Sequence, residues 1–134
     1  MPLDPTGSNP IVQVTFASLD SGSCTLFLKK TTDSDWHQIF TPFSNHNADD
    51  FSFTIDPTKP PINGSSLSSL VGCKLGWVVK YFNLNNNPGI KFSFGININQ
   101  SGSIVMSDST AEDGVNVAFS PTRNIAAFSG VFTF

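Results

Sequence analysis

The chain has 134 residues, about the length of one domain, and 13% of them are charged, roughly half the usual share. A hydrophobic content of 39% and a mean hydropathy of -0.01 exclude a disordered chain and a membrane-spanning helix. Seven basic residues against ten acidic ones give a net charge of -3, and the sequence contains no basic run, so nucleic acid is excluded as a partner.

The first ten residues differ from the rest of the chain. They contain Pro2, Pro5 and Pro10, which disfavour regular structure, so we expect residues 1–10 to form an extended N-terminal arm. No basic or apolar region of a secretory signal is visible there, which predicts synthesis in the cytoplasm, with release from the cell left open. Residues 11–134 are expected to form a single domain.

Apolar and polar residues alternate along most of the remaining chain, with the period of a β-strand rather than that of a helix. In residues 50–56, for example, Phe51 and Phe53 share one face, and Ser52 and Thr54 share the other. The longest alternation runs through residues 89–99. The pattern predicts about nine strands, at residues 11–19, 23–30, 36–41, 50–56, 73–82, 89–99, 103–107, 115–120 and 125–134.

Turn residues join two pairs of these strands. Asp20-Ser21-Gly22 predicts a hairpin over residues 11–30, and Gln100-Ser101-Gly102 predicts a second hairpin between residues 89–99 and 103–107. The one helix candidate, residues 65–72, has at most two turns. Many short strands with little helix indicate an all-β fold, and we predict a single antiparallel β-sandwich, with a β-barrel as the second choice.

Two cysteines, Cys24 and Cys73, share strand parity with apolar neighbours. Such positions fit buried free thiols, and the visible sequence carries no export signal. A disulfide between them would close a loop of about fifty residues and stabilise the fold by about 4 kcal/mol. The sequence leaves both alternatives open.

Groups for catalysis are sparse. The chain has two histidines, His37 and His46, and no serine lies in a G-x-S-x-G elbow. A carboxylate pair for glycoside hydrolysis would have to come from ten acidic residues, of which only Glu112 is a glutamate. We therefore expect a protein that is not an enzyme, with a hydrolase as a minor alternative.

Clustered carboxylates offer oxygen ligands for a metal ion, and calcium is the ion that prefers them. Their spacing does not match an EF-hand, and aspartate is also favoured in solvated turns because it hydrogen-bonds to the backbone. We expect no cofactor, with calcium as the alternative. The candidate ligands are Asp33, Asp35, Asp49 and Asp50.

Most outward positions carry serine, threonine, asparagine or glutamine, a surface with many donors and acceptors but little charge. Such groups pair with sugar hydroxyls, and an aromatic face covers the apolar side of a sugar ring. The leading functional hypothesis is therefore a multivalent, lectin-like protein that binds neutral glycans through loop residues, with a glycan or a cell-surface ligand as its partner. The candidate contacts are Trp36, His37, Asn45, His46, Asn85, Asn86 and Asn87.

Two further functions are open. In size, acidity and all-β pattern the chain resembles the aegerolysins, small β-sandwich proteins, which implies a membrane-lipid ligand; a pore-forming protein with the amphipathic segment 89–107 belongs to the same class. The second alternative is a structural coat, fibre or inclusion protein. A surface with so little charge also favours self-association, so we expect a homo-oligomer.

Overall fold

A computed structural model describes residues 3–17, 21–44, 48–82, 93–111, 118–119 and 125–134. Within these ranges the chain forms ten strands and one short 3-10 helix, Leu67–Leu70. No helix among the described residues is long and apolar enough to cross a bilayer. The strands are β1 (Ile11–Ala17), β2 (Ser21–Lys29), β3 (His37–Phe40), β4 (Phe43–Ser44), β5 (Ala48–Thr54), β6 (Lys74–Phe82), β7 (Ser93–Gln100), β8 (Ser103–Ala111), β9 (Ala118–Phe119) and β10 (Ile125–Thr133).

The strands form two antiparallel sheets. The four-stranded sheet has the order β5-β1-β7-β8, and the six-stranded sheet has the order β3-β2-β6-β10-β9, with β4 also paired to β2. The two sheets stay separate over the described residues instead of closing into a barrel. The predicted all-β sandwich is therefore confirmed.

The core lies between the sheets and is built by alternate residues of their central strands. Val12 and Val14 of β1 are buried from one side, and Leu26 of β2 and Leu75 of β6 from the other. At one edge the ring of Phe40 on β3 stacks on that of Phe53 on β5, with centroids 5.1 Å apart. Because these two strands belong to different sheets, the stacked rings tie the layers together.

The second predicted hairpin is confirmed. Strands β7 and β8 pair directly, and Ser101 and Gly102 connect them with φ of 52° and 80°. Positive φ at both loop residues is typical of a type I′ turn, whose twist matches that of the flanking strands. Phe94 and Ile96 are buried, as the alternation predicts. The first part of this predicted strand, residues 89–92, lies outside the described residues.

The first predicted hairpin, over residues 11–30, is wrong. Strand β1 pairs with β5 and β7, whereas β2 pairs with β3, β4 and β6 in the other sheet. The turn signal was misplaced as well, since Ser21 and Gly22 already belong to β2. A local turn signal shows that the chain changes direction, but it carries no information on which layer the next strand joins. Here both strands bury one apolar face, and they do so from opposite sides of the core.

Residues 3–10 form no strand and lie against the β7–β8 turn. The side chain of Gln100, only 4% exposed, fastens this segment: its Oε1 accepts from the amide of Asp4 at 2.8 Å, and its Nε2 donates to the carbonyls of Asp4 and Ser8 at 2.7 and 2.9 Å. Leu3 and Pro10 are buried at the two ends of the segment. The segment is thus anchored both by apolar burial and by a buried amide.

Candidate functional site

An exposed apolar groove lies on the outer face of the six-stranded sheet. Its volume is about 340 Å³, and the exposed ring of Trp36 forms one wall. The floor includes Gly130 and the largely buried Trp77. We call this cavity the Trp36 groove; its other lining residues are Phe27, Gly76, Val78, Ser129 and Val131.

Strand register brings these residues together. Phe27 of β2, Gly76 of β6 and Val131 of β10 lie directly opposite one another in neighbouring strands, so they point to the same face. Val78 and Ser129 are a pair in the adjacent row. In a sandwich this outward face normally carries polar residues, so a central apolar set of this kind is unusual.

Gly76 makes room for the indole of Trp36. A Cβ atom at residue 76 would lie 3.0 Å from Cζ3 of Trp36 and 3.3 Å from its Cη2, closer than ordinary carbon contacts. Trp36 therefore rests on bare backbone, although it remains 40% exposed. The Nζ of Lys29 lies 5.8 Å from the indole centroid, within the range of a cation–π interaction.

Lysines surround the apolar centre of this face. Lys29 and Lys74 lie directly opposite each other on β2 and β6, and Lys80 lies further along β6 opposite Ser23. None of the three lysines forms an ion pair with any residue that the structure describes. Phe43 of β4 also faces outward, opposite Ser23, and is 58% exposed. We refer to this surface as the cationic apolar face; it comprises Phe27, Trp36, Phe43, Val78, Val131, Lys29, Lys74 and Lys80.

The outer face of the four-stranded sheet has the opposite character. Gln13 of β1 lies between Asn97 of β7 and Ser52 of β5. The Nδ2 of Asn99 donates to Oε1 of Gln13 at 2.7 Å and to Oδ1 of Asn97 at 2.6 Å. This amide row supplies neutral donors and acceptors. The amide row and Trp36 are thus on different faces of the sandwich.

A smaller cleft of about 240 Å³ opens between β3 and β5 at the edge of the two sheets. Gln38, Thr54, Asp56 and Lys59 give it polar lining groups beside apolar ones. The hydroxyl and the amide of Thr58 both donate to Oδ1 of Asp56, and these bonds hold the pKa of Asp56 below its ordinary value. Because the Asp56 carboxylate already accepts these two hydrogen bonds within a turn, it is less available to a ligand. We therefore do not treat this cleft as the leading candidate site.

Of the contacts predicted from the sequence, Trp36 lines the groove. His37 is exposed, and its Nε2 lies 3.3 Å from Oδ2 of Asp33, four residues earlier in the loop before β3. His37 is not among the lining residues of the groove. The other predicted contacts lie outside the described residues: Asn45, His46, Asn85, Asn86 and Asn87.

The predicted metal ligands are divided between the two sheets. Asp33 and Asp35 lie in the loop between β2 and β3, whereas Asp49 and Asp50 belong to β5 of the four-stranded sheet. Among the residues that the structure describes, no three histidine, cysteine or acidic side chains are grouped as they would be around a metal ion.

Sequence reasoning missed most of the groove. Residues 73–82 are apolar on both parities, a pattern typical of a central strand, and β6 is indeed central, between β2 and β10. The same pattern carried a second signal, because Gly76 and Val78 occupy outward positions where a polar residue is expected. Outward Phe27 and Val131 on the neighbouring strands give the same signal.

Neither cysteine forms a disulfide; both are buried free thiols. Burial raises the pKa of the Cys24 thiol to about 12, so this thiol is protonated at neutral pH and is a poor nucleophile.

Comparisons with protein-family models, curated proteins and solved structures find no match to this chain.

Proposed function

We propose that this protein is a non-enzymatic recognition protein that binds membrane surfaces containing anionic lipids through the cationic apolar face. One observation carries the proposal: an exposed apolar groove and three lysines without described ion-pair partners share one face of the sandwich. Interfacial proteins combine these two features, with aromatic and aliphatic groups entering the headgroup region and lysines contacting anionic headgroups.

Lysine–headgroup attraction and burial of apolar side chains would both contribute to binding. Each lysine near an anionic membrane contributes about 1 kcal/mol at physiological salt. Phe43 and Val131 are both 58% exposed, and transfer of apolar surface from water contributes about 25 cal/mol per Å². Trp36 suits the boundary because its ring is apolar and its N–H is polar. Binding should therefore require both anionic lipid and the apolar side chains.

The lectin-like function remains a second candidate, supported by the amide row on the four-stranded sheet. Gln13, Asn97 and Asn99 present amides that could pair with sugar hydroxyls. A neutral-glycan site is expected to combine such groups with an aromatic platform, yet Trp36 lies on the other face. The cationic apolar face combines exposed apolar side chains with lysines, the two kinds of group that an anionic lipid surface requires. For that reason lipid binding is the leading proposal and glycan binding the second.

Co-sedimentation with vesicles tests the proposal. The folded protein is expected to pellet with phosphatidylcholine vesicles that contain phosphatidylserine, and to stay in the supernatant with phosphatidylcholine alone or at high salt. Val131→Ser should weaken binding. Ile104→Ser is the matched control, because Ile104 is 57% exposed but lies on β8 of the four-stranded sheet.

Two results would reject the proposal. The first is equal behaviour on anionic and neutral vesicles, and the second is equal loss in the two serine variants. A glycan array run on the same sample tests the second candidate, since sugar binding that is lost on substitution of Gln13 would favour the amide row. Light scattering shows whether a second copy of the chain covers the cationic apolar face instead, in which case Val131→Ser would reduce the molar mass.

A further inference from the structure

We infer that the Trp36 groove binds the hydrocarbon chain of a single-chain amphiphile, with the anionic headgroup of that molecule between Lys29 and Lys74. This inference rests on the proposed lipid function and specifies the ligand of the same site. It differs from surface attachment to a bilayer, because the groove would bind one chain of a dissolved molecule.

The groove has the shape and lining for a chain. Its volume of about 340 Å³ lies at the lower end of the usual range for small-molecule sites, about 300–1,000 Å³. Its floor contains two glycines, Gly76 and Gly130, and Trp36 and Val131 are among its walls. Of the lining side chains that the structure describes, only Ser129 carries a hydroxyl. Sugar hydroxyls would therefore find few partners here, whereas methylene groups would be well matched.

Two of the three lysines lie together at one end of the groove. Lys29 and Lys74 occupy the next outward row beyond Phe27 and Gly76, about 7 Å along the strands. Like charges directly opposite each other on adjacent strands repel, and an anion between them would relieve that repulsion. The nearest acidic residue in sequence, Asp33, is in contact with His37 at 3.3 Å. A carboxylate, sulfate or phosphate headgroup fits this position.

Trp36 links the two parts of the site. Its ring occupies the space that a Cβ atom at residue 76 would need, and the Nζ of Lys29 lies 5.8 Å from the centroid of the same ring. A hydrocarbon chain in the groove would cover the exposed indole of Trp36. The headgroup would bind Lys29, the lysine that lies over this indole. Occupancy should therefore change tryptophan fluorescence, because both Trp36 and Trp77 line the groove.

The test is a titration with dissolved alkyl sulfates of increasing chain length, each below its micelle concentration. We expect one molecule per protein and an affinity that rises about fourfold for each added methylene until the groove is filled. Lys29→Met and Lys74→Met should each lower the affinity about fivefold, and Lys59→Met, outside the face, should leave it unchanged. Alcohols of equal length should bind more weakly than the sulfates.

The outcomes separate this inference from the proposed function. Binding to anionic vesicles without saturable binding of single-chain sulfates would overturn the inference and leave the proposed function standing. Saturable binding of the sulfates without vesicle binding would support the inference and reject membrane attachment. Equal affinities for sulfates and alcohols, or many molecules bound per protein, would also overturn the inference. Val131→Ser provides a second variant at an exposed site, so loss of binding can be separated from loss of folding by a thermal melt.

Discussion

The indole of Trp77 on β6 lies over Gly130, the residue directly opposite it on β10. A Cβ atom at residue 130 would lie 2.5 Å from Cε2 of the indole and still closer to Cζ2. The largest side chain of this strand therefore occupies the space that the neighbouring residue leaves empty. The pair closes the sheet beneath the Trp36 groove, which makes the floor of the groove dependent on a glycine.

Gly130→Ala should destabilise the fold. The added methyl group overlaps a ring that is itself buried, and overpacking of this kind costs about 1–3 kcal/mol. Gly95→Ala is the matched control: among the described side chains its Cβ would meet Thr15 alone, at 3.9 Å, and the alanine should stabilise the fold by about 0.4–1 kcal/mol by restricting the unfolded chain. Urea denaturation measures both variants, and equal stabilities would contradict the arrangement of Trp77 and Gly130.

Gly76→Ala should act on Trp36 without loosening the core. The new methyl group would meet an exposed ring that is free to move outward, so we expect the free energy of unfolding to change by less than about 1 kcal/mol. Acrylamide should quench the displaced indole more strongly, and vesicle binding should weaken. Unchanged quenching together with unchanged binding would show that Trp36 does not depend on the bare backbone at Gly76.

Lys80→Met tests the charge of the cationic apolar face at the opposite end of the groove from Lys29 and Lys74, because Lys80 lies one outward position beyond Val78. Removal of one lysine should weaken binding to vesicles containing phosphatidylserine about fivefold, and the loss should shrink as salt rises. Lys59→Met is the control, because this lysine lines the smaller cleft between β3 and β5. The charge assignment fails if both variants bind like the unmodified protein.

Gln100→Ala should release the N-terminal segment. The substitution removes three hydrogen bonds to Asp4 and Ser8, and their backbone groups lose a buried partner, at a cost of about 1–3 kcal/mol. Limited proteolysis should then cut within residues 3–10. Gln13→Ala removes an exposed glutamine and should change stability by no more than about 0.5 kcal/mol. Equal proteolysis of the two variants would contradict the anchoring role of Gln100.

The raised pKa of Cys24 predicts a loss of stability in alkali. The thiol has an ordinary pKa of 9.0 and a pKa of about 12 in the folded protein. Above pH 9 the unfolded chain therefore loses a proton that the native state retains. Stability from this source is fully present below pH 9 and falls by about 1.4 kcal/mol per pH unit up to about pH 12.

Comparison of variants isolates this contribution from other groups that titrate in alkali. Cys24→Ala should show a shallower decline of the unfolding free energy between pH 9 and 11 than the unmodified protein, whereas Cys73→Ala keeps the Cys24 thiol and should retain the steeper decline. Parallel curves for all three proteins would show that burial of Cys24 does not perturb its titration.

Alternation predicted which residues enter the core, because a strand buries every second side chain whatever its partners. Val12, Phe53 and Ile96 all follow that rule. Strand pairing was predictable only where a turn forces two strands together, as at Ser101 and Gly102. The layer of β2 depends on packing across the whole core, and no short segment of sequence encodes it.

The candidate site was predictable only in part. Trp36 was predictable as a contact because an aromatic face can cover the apolar side of a sugar ring, and tryptophan is common in recognition sites. Val78 and Val131 each occupy an outward position where a polar residue is expected, but a single such residue does not define a site. They form a groove only through the register of β6 and β10. The sequence also predicted that Trp36 and nearby asparagine amides serve one ligand, and those asparagines lie outside the described residues. Gln13, which was not among the predicted contacts, lies on the opposite face from Trp36.

The separation of β1 and β2 into different layers has a consequence for synthesis on the ribosome. Strand β1 gains its first hydrogen-bonded neighbour only when residues 48–54 have been made, and its second when residues 93–100 follow. Until then its apolar side faces water and is available to chaperones or to other nascent chains. Because such non-local pairing slows folding, the four-stranded sheet is expected to form only after residues 103–111 of β8 have been made, and only then can it close over the other sheet.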